Sequence, residues 1–211
     1  MKRRIYFVIG ILVLAVIGYL LYTHRAQLGL GPSASNPESA GSDQAAEQQP
    51  AHVSWQSVDR TPDGFKVDMP ADSSQFQVPA YNNRGGAEQV EYIQATPGSD
   101  TTFAIAWADD PPVERASGSS AERTLDTARD GALVRTQTTM LNESHTQFQG
   151  YAARNFSARN GSGGLFNARL ILTGTRLYML LATFPSSSAR READVNRFFD
   201  SFTLISPPRD R

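Results

Sequence analysis

The stretch Leu177-Tyr178-Met179-Leu180-Leu181-Ala182-Thr183-Phe184 constrains this chain more than any other. Both alternating sets of its side chains are apolar, so an extended strand here has no face that tolerates water. It belongs in the middle of a sheet covered on both sides. One cover follows at once: Val195, Phe198, Phe199 and Phe202 recur at i, i+3, i+4 and i+7. That spacing makes one apolar stripe on a helix, whose start the serines at 186 to 188 mark.

The strands that flank this centre can be read from turn chemistry. Thr61-Pro62-Asp63-Gly64 is a turn, after which Phe65, Val67 and Met69 alternate with Lys66 and Asp68 until Pro70. Phe76 and Val78 suggest a short strand, Asn82-Asn83-Arg84-Gly85-Gly86 a tight turn, and Val90 to Ala95 a further strand. Phe103, Ile105 and Trp107 then alternate with alanines, whose small side chains mark a face where something packs close. Ser119-Ser120-Ala121-Glu122 reads as a capping box, and Leu125, Ala128 and Ala132 follow at helical spacing, which predicts a helix from about Ser120 to Leu133. Thr138 to Phe148, Tyr151 to Ala158, Leu165 to Leu172 and Leu177 to Phe184 are joined by short Gly-containing links and predict an antiparallel meander. The expected fold class is therefore α+β, an antiparallel sheet sandwiched between helices in an α/β/α arrangement.

The N-terminal region is of another kind. Lys2, Arg3 and Arg4 precede an uncharged apolar run from Ile5 to Tyr22. At a helical rise of 1.5 Å, about 18 residues cover roughly 27 Å, enough to span a bilayer core. A cleaved signal peptide would have a shorter apolar region followed by a small-x-small site, and Tyr22-Thr23-His24-Arg25 offers none. The expectation is a single uncleaved transmembrane helix, with the basic end cytoplasmic and the remainder extracytoplasmic. Gly31 to Pro50 holds no aromatic or large aliphatic residue and reads as a disordered linker. The organisation expected is a cytoplasmic tip and anchor over 1–25, a linker over 26–53, a globular domain over 54–206 and a polar tail over 207–211.

Composition excludes several functions. The chain has no cysteine, which removes disulfides, thiolate metal sites, cysteine nucleophiles and a lipoprotein acylation site. A net charge of -1 leaves no basic footprint for nucleic acid. His24, His52 and His145 are too scattered to suggest a metal centre. Asn160-Gly161-Ser162-Gly163-Gly164 lacks the spacing of a nucleophile elbow and lies between two strands, where a hairpin turn is required. The same placement removes a dinucleotide or phosphate loop. Asp109-Asp110 before two prolines reads as a solvated strand end. No cofactor, metal or catalytic residue is assigned.

The order of features nevertheless resembles a known family. Trp55, then Gly64-Phe65-Lys66-Val67-Asp68-Met69-Pro70, a helix, a meander holding Leu177-Tyr178 and a terminal Phe198-Phe199-Asp200-Ser201-Phe202 resemble the PsbP-like superfamily. The resemblance spans roughly Ser54 to Ile205. It implies an antiparallel sheet between helices and, among bacterial envelope members of the DcrB type, binding without common chemistry. The function expected is that of a non-enzymatic, membrane-anchored binding or assembly module of the cell envelope, in the bacterial inner membrane with its domain periplasmic. Its partners would be the membrane itself and an envelope protein. The alternative is an envelope hydrolase using carboxylates that the sequence does not single out.

One cross-strand row carries the only candidate site. A hairpin centred between Gly161 and Ser162 would set Arg154 opposite Arg169, with Glu143 alongside the first and Tyr178 near the second. Paired guanidinium groups and a phenol could grip a carboxylate or phosphate. Arg154, Arg169 and Tyr178 are accordingly the candidate anion-binding residues.

Overall fold

The structure is a computed structural model that describes residues 53–81, 87–97, 101–109, 119–174, 176–186 and 191–205. The expected membrane helix, the linker and the polar tail lie outside the described residues, as do the Asn82–Gly86 turn and Asp110.

Among the described residues ten strands form two antiparallel sheets. The larger has seven strands: β3 (Ser74–Tyr81), β4 (Ala87–Ala95), β5 (Thr102–Asp109), β6 (Thr138–Phe148), β7 (Tyr151–Asn160), β8 (Leu165–Thr173) and β9 (Arg176–Phe184). Their spatial order is β3-β4-β5-β9-β8-β7-β6. β9 therefore occupies the centre, the place its doubly apolar sequence demands. Leu177, Met179 and Leu181 enter the core on one face, while Tyr178, Leu180, Ala182 and Phe184 enter a second core on the other. At the outer edge β6 is largely exposed, and its register shifts between Met140 and Asn142.

A helix, α1 (Ser119–Thr136), covers the first face over β6, β7 and β8. Its stripe of Ala121, Leu125, Ala128 and Ala132 is buried, and the small residues let the helix lie close to the sheet. The carboxylate of Glu122, the expected capping-box residue, accepts from Arg154 Nη2 at 2.6 Å.

The second face departs from the expectation of a plain helical cover. A helix is present, α2 (Glu192–Ser201), with Val195, Phe198 and Phe199 buried. It starts at Glu192 with Arg191 as N-cap rather than at the serines of 186 to 188. Much of this face, however, lies under a second sheet of three strands: β1 (Trp55–Arg60), β2 (Phe65–Pro70) and β10 (Thr203–Leu204), in the order β1-β2-β10. The molecule is thus mostly sheet and not a sheet sandwiched between helices. β1 escaped sequence reading because its inward residues, Trp55 and Val58, are three apart and break the two-residue alternation.

Phe65 is the wedge between the two sheets. It has no solvent exposure, and its ring packs edge-on to Trp107 at 5.0 Å and Tyr178 at 5.8 Å and stacks on Phe202 at 5.7 Å. Phe103 does the same for α2, packing edge-on to Phe198 at 5.4 Å. Emptying such a buried aromatic site costs about 3–5 kcal/mol. Urea melts should therefore show losses of that size for Phe65→Ala and Phe198→Ala. Lys66→Ala, on the exposed side of β2, should stay within about 0.5 kcal/mol of wild type. Equal effects from the three would contradict this packing.

Candidate functional site

The β7–β8 hairpin decides how the arginines are placed. Asn160 Oδ1 accepts from the backbone N–H of Ser162 at 3.1 Å and of Gly164 at 2.7 Å. Asn160 N–H in turn donates to the carbonyl of Gly164 at 2.9 Å. The loop so closed has three residues, Gly161, Ser162 and Gly163, and Gly163 takes the positive φ of +90° that this loop needs. Its centre is Ser162, half a residue beyond the position expected from the sequence.

That offset moves the register by one residue. Arg154 pairs with Leu170 and Asn155 pairs with Arg169, so the two arginines project from opposite faces of the sheet. The expected patch of Arg154, Arg169 and Tyr178 does not assemble. Tyr178 shares the face of Arg169 but stands opposite Ile171, and its hydroxyl donates to the carbonyl of Asp63 at 2.7 Å. Arg176 Nη1 donates to the same carbonyl at 2.9 Å. Both residues thus fasten the Thr61–Asp63 turn to β9. Burial raises the Tyr178 pKa above its ordinary value, against the opposing pull of Arg176.

On the α1 face Arg154 is 1% exposed and paired with acids through its terminal nitrogens. It reaches Glu122 at 2.6 Å, Asp126 at 2.9 Å and Glu143 at 2.9 Å, and its Nη1 lies 2.6 Å from His145 Nε2. Arg129 joins from the next turn of α1 with both Glu143 oxygens, at 2.7 and 2.8 Å. The expected register of Glu143 alongside Arg154 is not found, since His145 stands opposite Arg154 and Glu143 opposite Phe156; Glu143 reaches Arg154 diagonally, and the acids of α1 were not expected because nothing in the strand pattern places a helix above that row. This network pins α1 to β6 and β7 through both terminal nitrogens of Arg154, whose Nε is buried without a hydrogen-bond partner.

On the α2 face the sheet changes character from its centre to its edge. One cross-strand row runs Ile93, Ile105, Leu180, Arg169, Asn155, Ser144; the next runs Ala95, Phe103, Ala182, Asn167, Ser157, Asn142. Each row is apolar under α2 and becomes polar where the helix stops covering it. The result is a groove of about 470 Å³, with the polar ends of the rows as its floor and Val195, Asn196, Phe199 and Asp200 of α2 as its wall.

Arg169 lies at the inner end of that floor. Its Nε donates to Asn155 Oδ1 at 2.9 Å and its Nη1 to the carbonyl of Phe199 at 2.7 Å. The guanidinium carbon lies 5.6 Å from the Phe148 ring centroid and 5.4 Å from that of Phe199. No carboxylate among the described residues forms an ion pair with it. Burial pushes its pKa below the ordinary arginine value, and Asp200 offsets this only in part. Asn167, two residues along β8, has its Nδ2 buried without a hydrogen-bond partner. The sequence named Arg169 but not Asn155, Ser157 or Asn167; the alternation of amides and hydroxyls on β6, β7 and β8 was the signal that could have found them. Among the described residues no group of three His, Cys, Asp or Glu side chains is placed to hold a metal ion.

Comparison with solved structures finds the cyanobacterial PsbP of Synechocystis sp. PCC 6803, at 14% identity and a TM-score of 0.46, over 78% of this chain and 98% of that one. A Pseudomonas aeruginosa protein of unknown function is similar at 12% identity and a TM-score of 0.32, over 64% of this chain and 85% of that one. No protein-family model matches the sequence, and no curated protein does.

The Arg154 network yields a prediction about stability. Burial raises the Glu143 pKa, but the hydrogen bonds and charges of Arg129 and Arg154 outweigh it, and the net shift is below the ordinary glutamate value of 4.5. A depressed carboxylate stabilises the fold fully above its unfolded pKa and loses that contribution as pH falls through the folded value. Stability should thus decline as pH drops below about 4.5, and Glu143→Gln should flatten that part of the profile. Arg154→Ala empties a buried site and removes the cation shared by Glu122, Asp126 and Glu143, of which Glu143 keeps Arg129, and should cost about 3 kcal/mol at neutral pH in urea melts. A loss under about 1 kcal/mol would show that the network is not a structural pin.

Proposed function

We propose that this chain is a non-enzymatic binding or assembly module of the bacterial cell envelope, tethered to the inner membrane by one N-terminal helix and presenting its domain on the extracytoplasmic side. The reading rests on one observation above others. Arg169 is held half-buried in a polar groove, with no carboxylate of the described residues in an ion pair with it and Asp200 offsetting its burial only in part. A fold gains no stability from leaving a desolvated cation uncompensated, whereas such a group is well placed to recognise an outside acceptor. The opposite arginine, Arg154, shows what this chain does when an arginine serves the fold: it surrounds the group with acids.

The tether supports the same reading through its sequence. Three basic residues precede an apolar run long enough to cross, and the Pro-, Ser- and Gln-rich linker lets the domain stand off the bilayer. Intact chain in membranes should resist alkaline carbonate extraction and keep its N-terminus, and protease added outside sealed, cytoplasm-inside vesicles should leave the domain protected only if the positive-inside argument is wrong. A mature N-terminus after residue 22 would refute the anchor.

The groove itself is tested with a photo-crosslinking side chain at Asn196, on its wall, and another at Lys66, on the exposed side of β2 and away from it. In native membranes the first should capture an envelope component that the second does not. Identical adducts from both positions, or none from Asn196, would remove the groove as the binding face.

A further inference from the structure

The groove's chemistry narrows what it takes, given the binding reading above. Its floor offers two donors with unmet capacity. Arg169 uses Nε and Nη1 within the protein and leaves Nη2 without a partner, and Asn167 holds a buried Nδ2 that no acceptor reaches. The two residues are two apart on one face of β8, a spacing of roughly 7 Å between their backbones. A long guanidinium arm and a short amide can converge from that distance on one group. Both being donors, the group they await is an acceptor, and the cation makes it an anion.

The charge count sets its valence. Glu143 borders the groove by its backbone but turns its carboxylate to the other face, toward Arg129 and Arg154. The charges on the groove side are Arg169 on the floor and Asp200 on the wall. Together they sum to no net charge, so a dianionic phosphate would leave two negative charges uncompensated and a single carboxylate only one. Besides Asn155 and Asn167 the other uncharged polar lining is Asn142, Ser144, Ser157 and Asn196, whose amides and hydroxyls both donate and accept. No hydrogen bond within the described residues engages these four side chains. That is a surface for ring hydroxyls. A peptide would want deep apolar pockets for its side chains, and Val195 and Phe199 are the only apolar side chains that α2 contributes to the wall.

We infer that the groove between α2 and strands β6 to β8 is a binding site for a sugar acid, with the carboxylate held by Arg169 and Asn167 and the hydroxyls met by the serines and asparagines of the floor. Asn155 is a positioning residue, since it holds Arg169 by the Nε bond and leaves Nη2 directed to the ligand.

The test uses the full chain in detergent micelles and calorimetric titration with glucuronate and galacturonate, with glucose as the ring lacking the carboxylate and glucose 6-phosphate as the dianion. At least one uronate should bind saturably, and glucose should bind about 10- to 100-fold more weakly, the worth of a charge-assisted hydrogen bond. Arg169→Gln and Asn167→Asp should each weaken the uronate by a similar factor. The second keeps the side chain's size and sets a negative charge beside the ligand's, so it reads recognition even if the first perturbs α2 through the Phe199 carbonyl. Unchanged uronate affinity in Asn167→Asp, equal binding of uronate and glucose, tighter binding of glucose 6-phosphate, or no saturable uronate binding by wild type would each overturn the assignment. Should uronates fail while the Asn196 crosslink in membranes persists, the binding module stands and the ligand class alone is wrong; loss of both ends both.

Discussion

The exclusion of water from both faces of β9 is the constraint on which the rest of the structure depends. A strand carrying Leu177, Met179 and Leu181 on one side and Tyr178, Leu180 and Phe184 on the other is stable only with a complete cover over each. The chain meets the two demands differently. One face receives a single helix whose alanines let it lie flat. The other receives α2 together with a small sheet that brings the first strands and the last residues of the domain together over Phe65. At roughly 25 cal/mol per Å² of apolar surface removed from water, covering Leu177 to Phe184 contributes substantially to folding.

Legibility from sequence followed the same division. The central strand, the meander and the apolar stripe of α2 could be read because each repeats at its own period. The three-stranded sheet could not, since Trp55 and Val58 do not alternate and Thr203–Leu204 is too short to carry a pattern. The candidate site failed on a single residue. Gly161-Ser162-Gly163-Gly164 admits loops of two, three or more residues, and the choice was made by the Asn160 side chain bonding to Ser162 and Gly164. A strand has a period of two, so this one step carried Arg154 to the face opposite Arg169. The turn was visible in the sequence; its length was not.

The two arginines then illustrate how environment, and not residue type, fixes a role. Arg154 is buried deeper, yet its charge is met by three carboxylates from α1 and β6. Arg169 is more accessible but is held by a carbonyl, an amide and two aromatic rings, all neutral. The first arrangement fastens a helix to a sheet. The second keeps a cation in place without neutralising it.

The shifted register in β6, between Met140 and Asn142, bears on something other than binding or stability. An outermost strand of eleven residues, with Leu141 half-exposed, would ordinarily be a template on which another polypeptide could extend the sheet. The bulge interrupts the even spacing of its outward N–H and C=O groups, so a straight incoming strand cannot match them along the whole length. At the opposite margin Pro79 removes one donor from β3. Both margins of the sheet are thus poorer templates for a further strand than a regular edge would be.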